Sequence, residues 1–100
     1  GNITSDNHHE LTMQNSELSI VPNPNNGSFS VVVDLLTKQT VDLNIYNSLG
    51  QVEQIIYSNT VLESGKKVIN CSEKLKAGVY FVKLSYEGKS WITKLFVANH

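Results

Sequence analysis

The sequence predicts an all-β fold in which seven antiparallel strands form a sandwich or barrel. Seven short stretches carry apolar residues at alternate positions or as brief apolar runs, and they recur about every ten residues. Turn-forming residues separate these stretches, and none shows a convincing helical period. The composition of 40% hydrophobic and 17% charged residues is typical of a soluble globular chain, and 100 residues suffice for one domain.

The first predicted strand, Leu18–Val21, is a short apolar run that ends at a turn. The turn, Pro22–Gly27, contains two prolines and three asparagines before its glycine. Proline fixes φ and has no amide donor, so neither a helix nor a strand ladder continues through this segment. We therefore expect an ordered turn.

The next three predicted strands follow from strict alternation. They are Ser28–Asp34, Val41–Tyr46 and Gln51–Tyr57, and Asn47–Gly50 is expected to connect the last two as a hairpin. Inward-facing positions in the first two of these strands are Phe29, Val31, Val33, Val41, Leu43 and Ile45.

A polar link, Ser58–Gly65, is expected to lead to the fifth strand, Lys66–Cys71. The connection after it has room for one helical turn around Glu73–Leu75. The sixth and seventh strands are Val79–Tyr86 and Lys89–Ala98, joined by a tight turn at Glu87 and Gly88. Inward-facing positions here are Tyr80, Val82, Leu84, Trp91, Thr93, Leu95 and Val97, whereas Lys83 and Lys94 face outward.

By the area that each side chain can bury, five residues are expected to dominate the core. They are Trp91, Phe29, Tyr80, Leu84 and Leu95.

Residues Gly1–Glu17 differ from the rest of the chain. They contain three acidic residues and no lysine, for a charge of −3, and their few apolar residues have no period. We interpret this stretch as a flexible leader and residues 18–100 as the folded domain; the alternative is that it adds an edge strand or packs one apolar side chain on the domain. His8 and His9 lack a third ligand nearby and are interpreted as linker histidines rather than a zinc site.

Charge and cysteine content exclude several classes of function. Eight lysines against nine acidic residues give a net charge of −1, which argues against a nucleic-acid partner. The chain has no arginine, so bidentate guanidinium recognition is ruled out. A single cysteine, Cys71, forms neither an internal disulfide nor a multi-cysteine zinc site. No apolar run approaches the ~20 residues that span a bilayer.

The residues that support catalysis are poorly placed for it. All three histidines, His8, His9 and His100, lie in the leader or at the last position, so no histidine falls within the predicted strands. Cys71 is expected to be a small buried apolar residue. The segment before Ser28 lacks the lysine and the helix of a phosphate-binding loop. We therefore predict neither an enzyme nor a cofactor; the carboxylates, interpreted as solvated, are Asp34, Asp42, Glu53, Glu63, Glu73 and Glu87.

Aromatic residues leave a binding module open. A row of exposed rings forms a stacking platform for sugars in β-sandwich carbohydrate binders, whereas rings at alternate strand positions more often belong to the core or to cross-strand pairs. We favour the second interpretation unless Trp91 and Tyr86 prove coplanar and exposed. The aromatic residues concerned are Tyr46, Tyr57, Tyr80, Tyr86 and Trp91.

Four segments, in order, carry a resemblance to a known family. They are Leu18–Gly27, Ile45–Gln51, Leu75–Lys83 and Thr93–Val97. The series resembles the type A C-terminal sorting domain of the type IX (Por) secretion system, over Leu18–His100. The resemblance implies a seven-stranded Ig-like sandwich that serves as an export address in Gram-negative bacteria of the Bacteroidetes type.

The resemblance also implies partners and a route. The partners would be a secretion translocon, a sortase-like protease that cuts within Gly1–Glu17, and a cargo domain upstream. The cargo would pass through the periplasm to the outer-membrane surface or the medium.

The residues that match the family motifs have two interpretations. They act as fold determinants, or they contact the translocon directly, for which the outward cation Lys94 is the best candidate. Addition of a partner strand to an exposed sheet edge is one physical route to such recognition. The matching residues are Pro22, Asn23, Pro24, Gly27, Leu49, Gly50, Gln51, Gly78, Tyr80, Lys94 and Val97.

Two other functions stay open on the sequence alone. One is a fibronectin-like or carbohydrate-binding adhesion module, which would bind glycans through Trp91. The other is a structural spacer, which would neither bind glycans nor direct export.

Overall fold

Seven strands form two antiparallel sheets in the computed structural model, which describes residues 18–72 and 75–98. Each sheet alternates buried and exposed side chains along its central strands, as a sheet with one face in a core requires. In chain order the strands are β1 (Leu18–Val21), β2 (Ser28–Leu35), β3 (Gln39–Asn47), β4 (Val52–Leu62), β5 (Gly65–Ser72), β6 (Gly78–Tyr86) and β7 (Lys89–Val97).

The chain passes between the two sheets three times. The three-stranded sheet has the order β1-β2-β5, and the four-stranded sheet has the order β4-β3-β6-β7. The connections from β2 to β3, from β4 to β5 and from β5 to β6 therefore each cross from one sheet to the other. Every neighbouring pair of strands is antiparallel. This arrangement confirms the predicted Ig-like sandwich.

The inner faces of both sheets share one core. Val31 and Val33 of the three-stranded sheet, and Leu43, Leu84 and Leu95 of the other, are fully buried. Burial of a valine or leucine side chain contributes about 1.5–3 kcal/mol, so these positions supply much of the stability. The rest of the buried apolar cluster is Leu18, Ile20, Phe29, Leu35, Val41, Ile45, Cys71, Tyr80, Val82 and Val97.

The predicted link from Ser58 onward is wrong, because β4 continues to Leu62. A bulge lets the strand accommodate these polar residues. Two residues of β4, Ser58 and Asn59, stand opposite Asp42 alone, between the pairs that β3 forms with Tyr57 and Thr60. The amide of Asn59 donates to Oδ1 of Asp42 at 2.7 Å, and Asn59 has a φ of 50°. A side chain on the neighbouring strand thus replaces the interrupted ladder.

Trp91 contributes less to the core than predicted. It is only partly buried and packs against the margin of the core, whereas Phe29, Tyr80, Leu84 and Leu95 are buried as expected. Other strand ends differ from prediction by one or two residues. The predicted leader lies outside the described residues, as do two of the three residues predicted to form a helical turn. In the described part of the chain, no helix has the length and hydrophobicity that crossing a membrane requires.

Candidate recognition site at one end of the sandwich

The four segments that carry the motifs meet at the same end of the sandwich. β3 ends where Asn47 stands opposite Tyr80, and the turn into β4 follows there. At the same end, β6 begins with Gly78 opposite Val97, near the end of β7. A parallel bridge joins Val97 to Asn25, which brings in the turn between β1 and β2. We call this the motif end.

Asn23 joins the first motif to the last by two hydrogen bonds. Its side-chain Nδ2 donates to the carbonyl oxygen of Lys94 at 2.9 Å, across 71 positions of sequence. Its Oδ1 accepts from the amide of Phe96 at 2.8 Å. An asparagine side chain offers a donor and an acceptor in one plane, as a peptide group does. It therefore occupies the edge of β7 in the way that another strand would.

Asn25 is the residue that the sequence analysis missed. It is 6% exposed, and its backbone bonds the end of β7, because its amide donates to Phe96 at 3.0 Å and its carbonyl accepts from Ala98 at 2.6 Å. Its Nδ2 donates to the carbonyl of Pro22 at 3.0 Å, and its Oδ1 accepts from the amide of Gly27 at 2.8 Å. The signal in the sequence is an asparagine two positions before a glycine, which is typical of Asx turns.

The second motif is a turn organised by Asn47. Its Oδ1 accepts from the amides of Leu49 and Gln51 at 2.9 and 3.0 Å. Its Nδ2 donates to side-chain oxygens of Gln51 and Glu53 at 3.0 and 3.1 Å. Gly50 has a φ of 85° with no atom within 4 Å of an added Cβ, so backbone conformation explains this glycine and space does not. Leu49 is 82% exposed and contributes nothing to the core.

The third and fourth motifs pair along β6 and β7. The hydroxyl of Tyr80, whose ring is buried, donates to the carbonyl of Lys76 at 2.7 Å. Val97 fills the core opposite Gly78. Lys94 points outward and is exposed, opposite Phe81. To other described residues, its ammonium makes neither an ion pair nor a hydrogen bond, so packing does not account for it.

A comparison with protein families identifies the family to which the chain belongs. The model of a family described as the secretion system C-terminal sorting domain matches residues 19–98. The chain belongs to this family. It is a sorting signal for type IX secretion, which directs export to the cell surface or the medium. A search of curated proteins finds no match.

Four of the five aromatic residues considered above as a platform for sugars lie in the core or against it. Tyr86 and Trp91 stack on each other, with ring centroids 4.6 Å apart and planes 23° apart. Both pack against the core, as Tyr57 does, and Tyr80 lies within it. The rings of Tyr86 and Trp91 therefore form a cross-strand pair rather than a coplanar surface for sugars.

Two features of the described part of the sorting domain bear on metal and nucleophile chemistry: the grouping of possible metal ligands and the position of the single cysteine. Across residues 18–72 and 75–98, no three side chains of histidine, cysteine, aspartate or glutamate are grouped to hold a metal ion. Cys71 is buried, as predicted, in the inner face of β5 opposite Phe29. The predictions for His8, His9 and His100 lie outside the described residues.

Proposed function

We propose that this sorting domain is a non-catalytic address that the type IX translocon reads at the motif end. A sortase-like protease then cuts within Gly1–Glu17 and separates the domain from a cargo upstream. The observation that carries the proposal is the assembly of four motifs, distant in sequence, at one end of the sandwich. Asn23 and Asn25 join the first motif to the last, and strand pairing brings in the other two.

The chain enters the sandwich at the other end. Leu18 stands opposite Val33, close to the turn that follows Leu35. β2 has eight residues at about 3.3 Å each, so Leu18 lies most of a strand length away from the motif end. A translocon component can therefore hold the motif end while the leader stays accessible to a protease.

The motif residues divide between folding and contact. Asn23, Gly27, Gly50, Tyr80 and Val97 are explained by hydrogen bonds, backbone conformation or burial. Pro22 and Pro24 restrict the backbone of the turn that Asn23 and Asn25 fasten. Gln51 accepts a hydrogen bond from Asn47, and Gly78 lies opposite Val97. Leu49 and Lys94 stand exposed without such an explanation, so we assign them to contact with the translocon.

The proposed route follows from these roles. The cargo crosses the periplasm with the domain attached, the translocon takes the motif end, and the cargo reaches the surface or the medium. The residues of the domain bind the translocon and position the cargo, and any chemical reaction is carried out by the cargo or by the protease.

An export assay tests the address. A periplasmic reporter carrying residues 1–100 is expressed in a host with a type IX system. The amount of reporter at the cell surface and in the medium is then measured. The intact fusion is expected to be exported, and removal of residues 95–100 is expected to abolish export, because Asn23 and Asn25 lose their partners at Phe96 and Ala98. Export of the truncated fusion would refute the address.

A matched pair of lysines separates contact from folding. Lys94→Ala is expected to reduce export, whereas Lys89→Ala, on the same strand at the opposite end, is expected to leave it unchanged. Equal export by the two variants would remove Lys94 from the recognition surface.

A further inference from the structure

The outer face of the four-stranded sheet contains an apolar groove beside the motif end. The cavity measures about 400 Å³. Its walls are Tyr46 of β3, Phe81 and Lys83 of β6, and Ile92 of β7, and the turn that contains Gly50 forms its rim. We call this the outer groove.

The outer groove combines apolar walls with one sign of charge. Ile92 is 62% exposed and lines the cavity with Phe81 and Tyr46, so several apolar side chains face solvent together here. Among the residues that the structure describes, Lys83 is the one charged residue that lines the cavity, and Asp42 lies farther along the same face, opposite Ser85. Lys94 adds a second cation on the same face, since it stands opposite Phe81. The chemistry that fits is an apolar side chain next to a carboxylate.

The other outer face has a different character. There Ser30 donates to Asn70 at 2.7 Å, and Asp34 stands opposite Lys66. Val32 and Val68 stand opposite each other between these polar pairs. Around Val68, this face carries opposite charges and side chains that bond one another. It also has a cavity of about 390 Å³ nearer the motif end, lined by Val21, Pro22 and Phe29 among others, so only its part around Val68 serves as a solvated reference surface.

The position of the outer groove points to the secretion machinery as its partner. Its rim is the second motif, and the two motif residues without a structural role flank it: Leu49 in the turn, and Lys94 across Phe81 from Tyr46. A second copy of the chain fits less well, because pairing the outer groove with itself would bring Lys83 of both copies together, whereas the carboxylate of Asp42 on the same face already accepts from the amide of Asn59. The leader is the alternative occupant: it is acidic, and 17 residues at about 3.3 Å each are long enough to reach the groove from Leu18, so the crosslinking experiment below separates it from the machinery.

We propose that the outer groove is the docking site for a component of the type IX machinery. An apolar side chain of that component enters between Phe81 and Ile92, and carboxylates beside it pair with Lys83 and Lys94. This inference rests on the proposed function and adds to it the surface and the chemistry of the partner.

Charge substitutions in the full fusion test the site. Ile92→Glu places a carboxylate in the apolar wall, and Lys83→Glu reverses the charge that the partner would meet. Each is expected to lower export at least about tenfold, which corresponds to 1.4 kcal/mol of lost binding. Lys83→Arg keeps the charge and is expected to export close to the intact fusion.

The matched control is Val68→Glu on the other outer face, where Val68 is 58% exposed. Like Ile92→Glu, it replaces an exposed apolar residue with glutamate. The Val68→Glu fusion is expected to be exported as well as the intact fusion. Thermal unfolding of the purified 100-residue chain checks folding. If Ile92→Glu unfolds early, Lys83→Glu decides the question, because it removes no apolar side chain.

A photo-crosslinking phenylalanine at position 92, with position 68 as the control, identifies what occupies the groove. The proposal expects an adduct with an identified component of the secretion machinery from position 92 alone. An adduct with a second copy or with the leader overturns it. Retention of the intact fusion refutes the proposed function itself. Export of both Glu variants at the level of Val68→Glu refutes only the groove.

Discussion

The two ends of the sandwich are held together in different ways. At the motif end, the side chains of Asn23, Asn25 and Asn47 bond backbone groups, in the case of Asn23 across more than seventy positions of sequence. At the opposite end, three tight turns follow β2, β4 and β6, and an ion pair of 3.9 Å joins Lys38 to Glu63. The motif end therefore depends on particular side chains, whereas the opposite end depends only on residues that favour turns.

This difference explains why recognition concentrates at one end. An end built from specific hydrogen bonds has one shape, and a partner can read that shape. An end built from solvated turns tolerates substitution, and it is there that the chain from the leader enters. The predictions that follow test whether substitutions at the motif end lower the free energy of unfolding more than substitutions at the opposite end.

Asn25→Ala is expected to have the largest effect. The substitution leaves the buried amide of Gly27 and the part-buried carbonyl of Pro22 without these partners, which should cost about 1–3 kcal/mol, most of it at Gly27. Urea unfolding of the purified chain measures the loss. Asn26→Ala is the control, because Asn26 is exposed and makes one long bond of 3.3 Å to the amide of Ser28. A loss at position 25 no larger than at position 26 would contradict the assigned role.

Asn23→Asp is expected to have a smaller effect. A carboxylate still accepts from the amide of Phe96, but it no longer donates to Lys94 and places an oxygen against that carbonyl. We expect a loss of about 1–2 kcal/mol in the free energy of unfolding. Asn70→Asp is the control, since Oδ1 of Asn70 only accepts, from Ser30, and a carboxylate does the same. Similar losses at the two positions would show that Asn23 does not act as a donor.

The same contrast explains what could be predicted from the sequence. Alternation with a period of two is a local property, so it was enough to predict the strands and the buried positions such as Val31, Leu43 and Leu84. The partners of Asn23 and Asn25 depend on where β7 ends in space, which no local pattern contains. For that reason the sequence identifies Asn25 only as a turn residue.

Two further differences have the same origin. β4 continues past Ser58 because Asp42, on the neighbouring strand, supplies the acceptor that the bulge needs. Trp91 lies at the core margin, where it stacks on Tyr86 beside the turn that joins β6 to β7. The outer groove could not be predicted either, because it depends on the strand register, which places Tyr46 and Lys94 on either side of Phe81.

The ion pair at the opposite end is expected to have the smallest effect. Lys38 and Glu63 are 64% and 72% exposed, so water and salt screen their attraction. Lys38→Ala should lower the free energy of unfolding by less than about 0.5 kcal/mol, and a double-mutant cycle with Glu63→Ala should give a coupling of the same size. That coupling should vanish at ionic strengths near 1 M, where the screening length falls to about 3 Å. A coupling as large as the loss at Asn23 would mean that specific pairing also holds this end, and the distinction between the two ends would not stand.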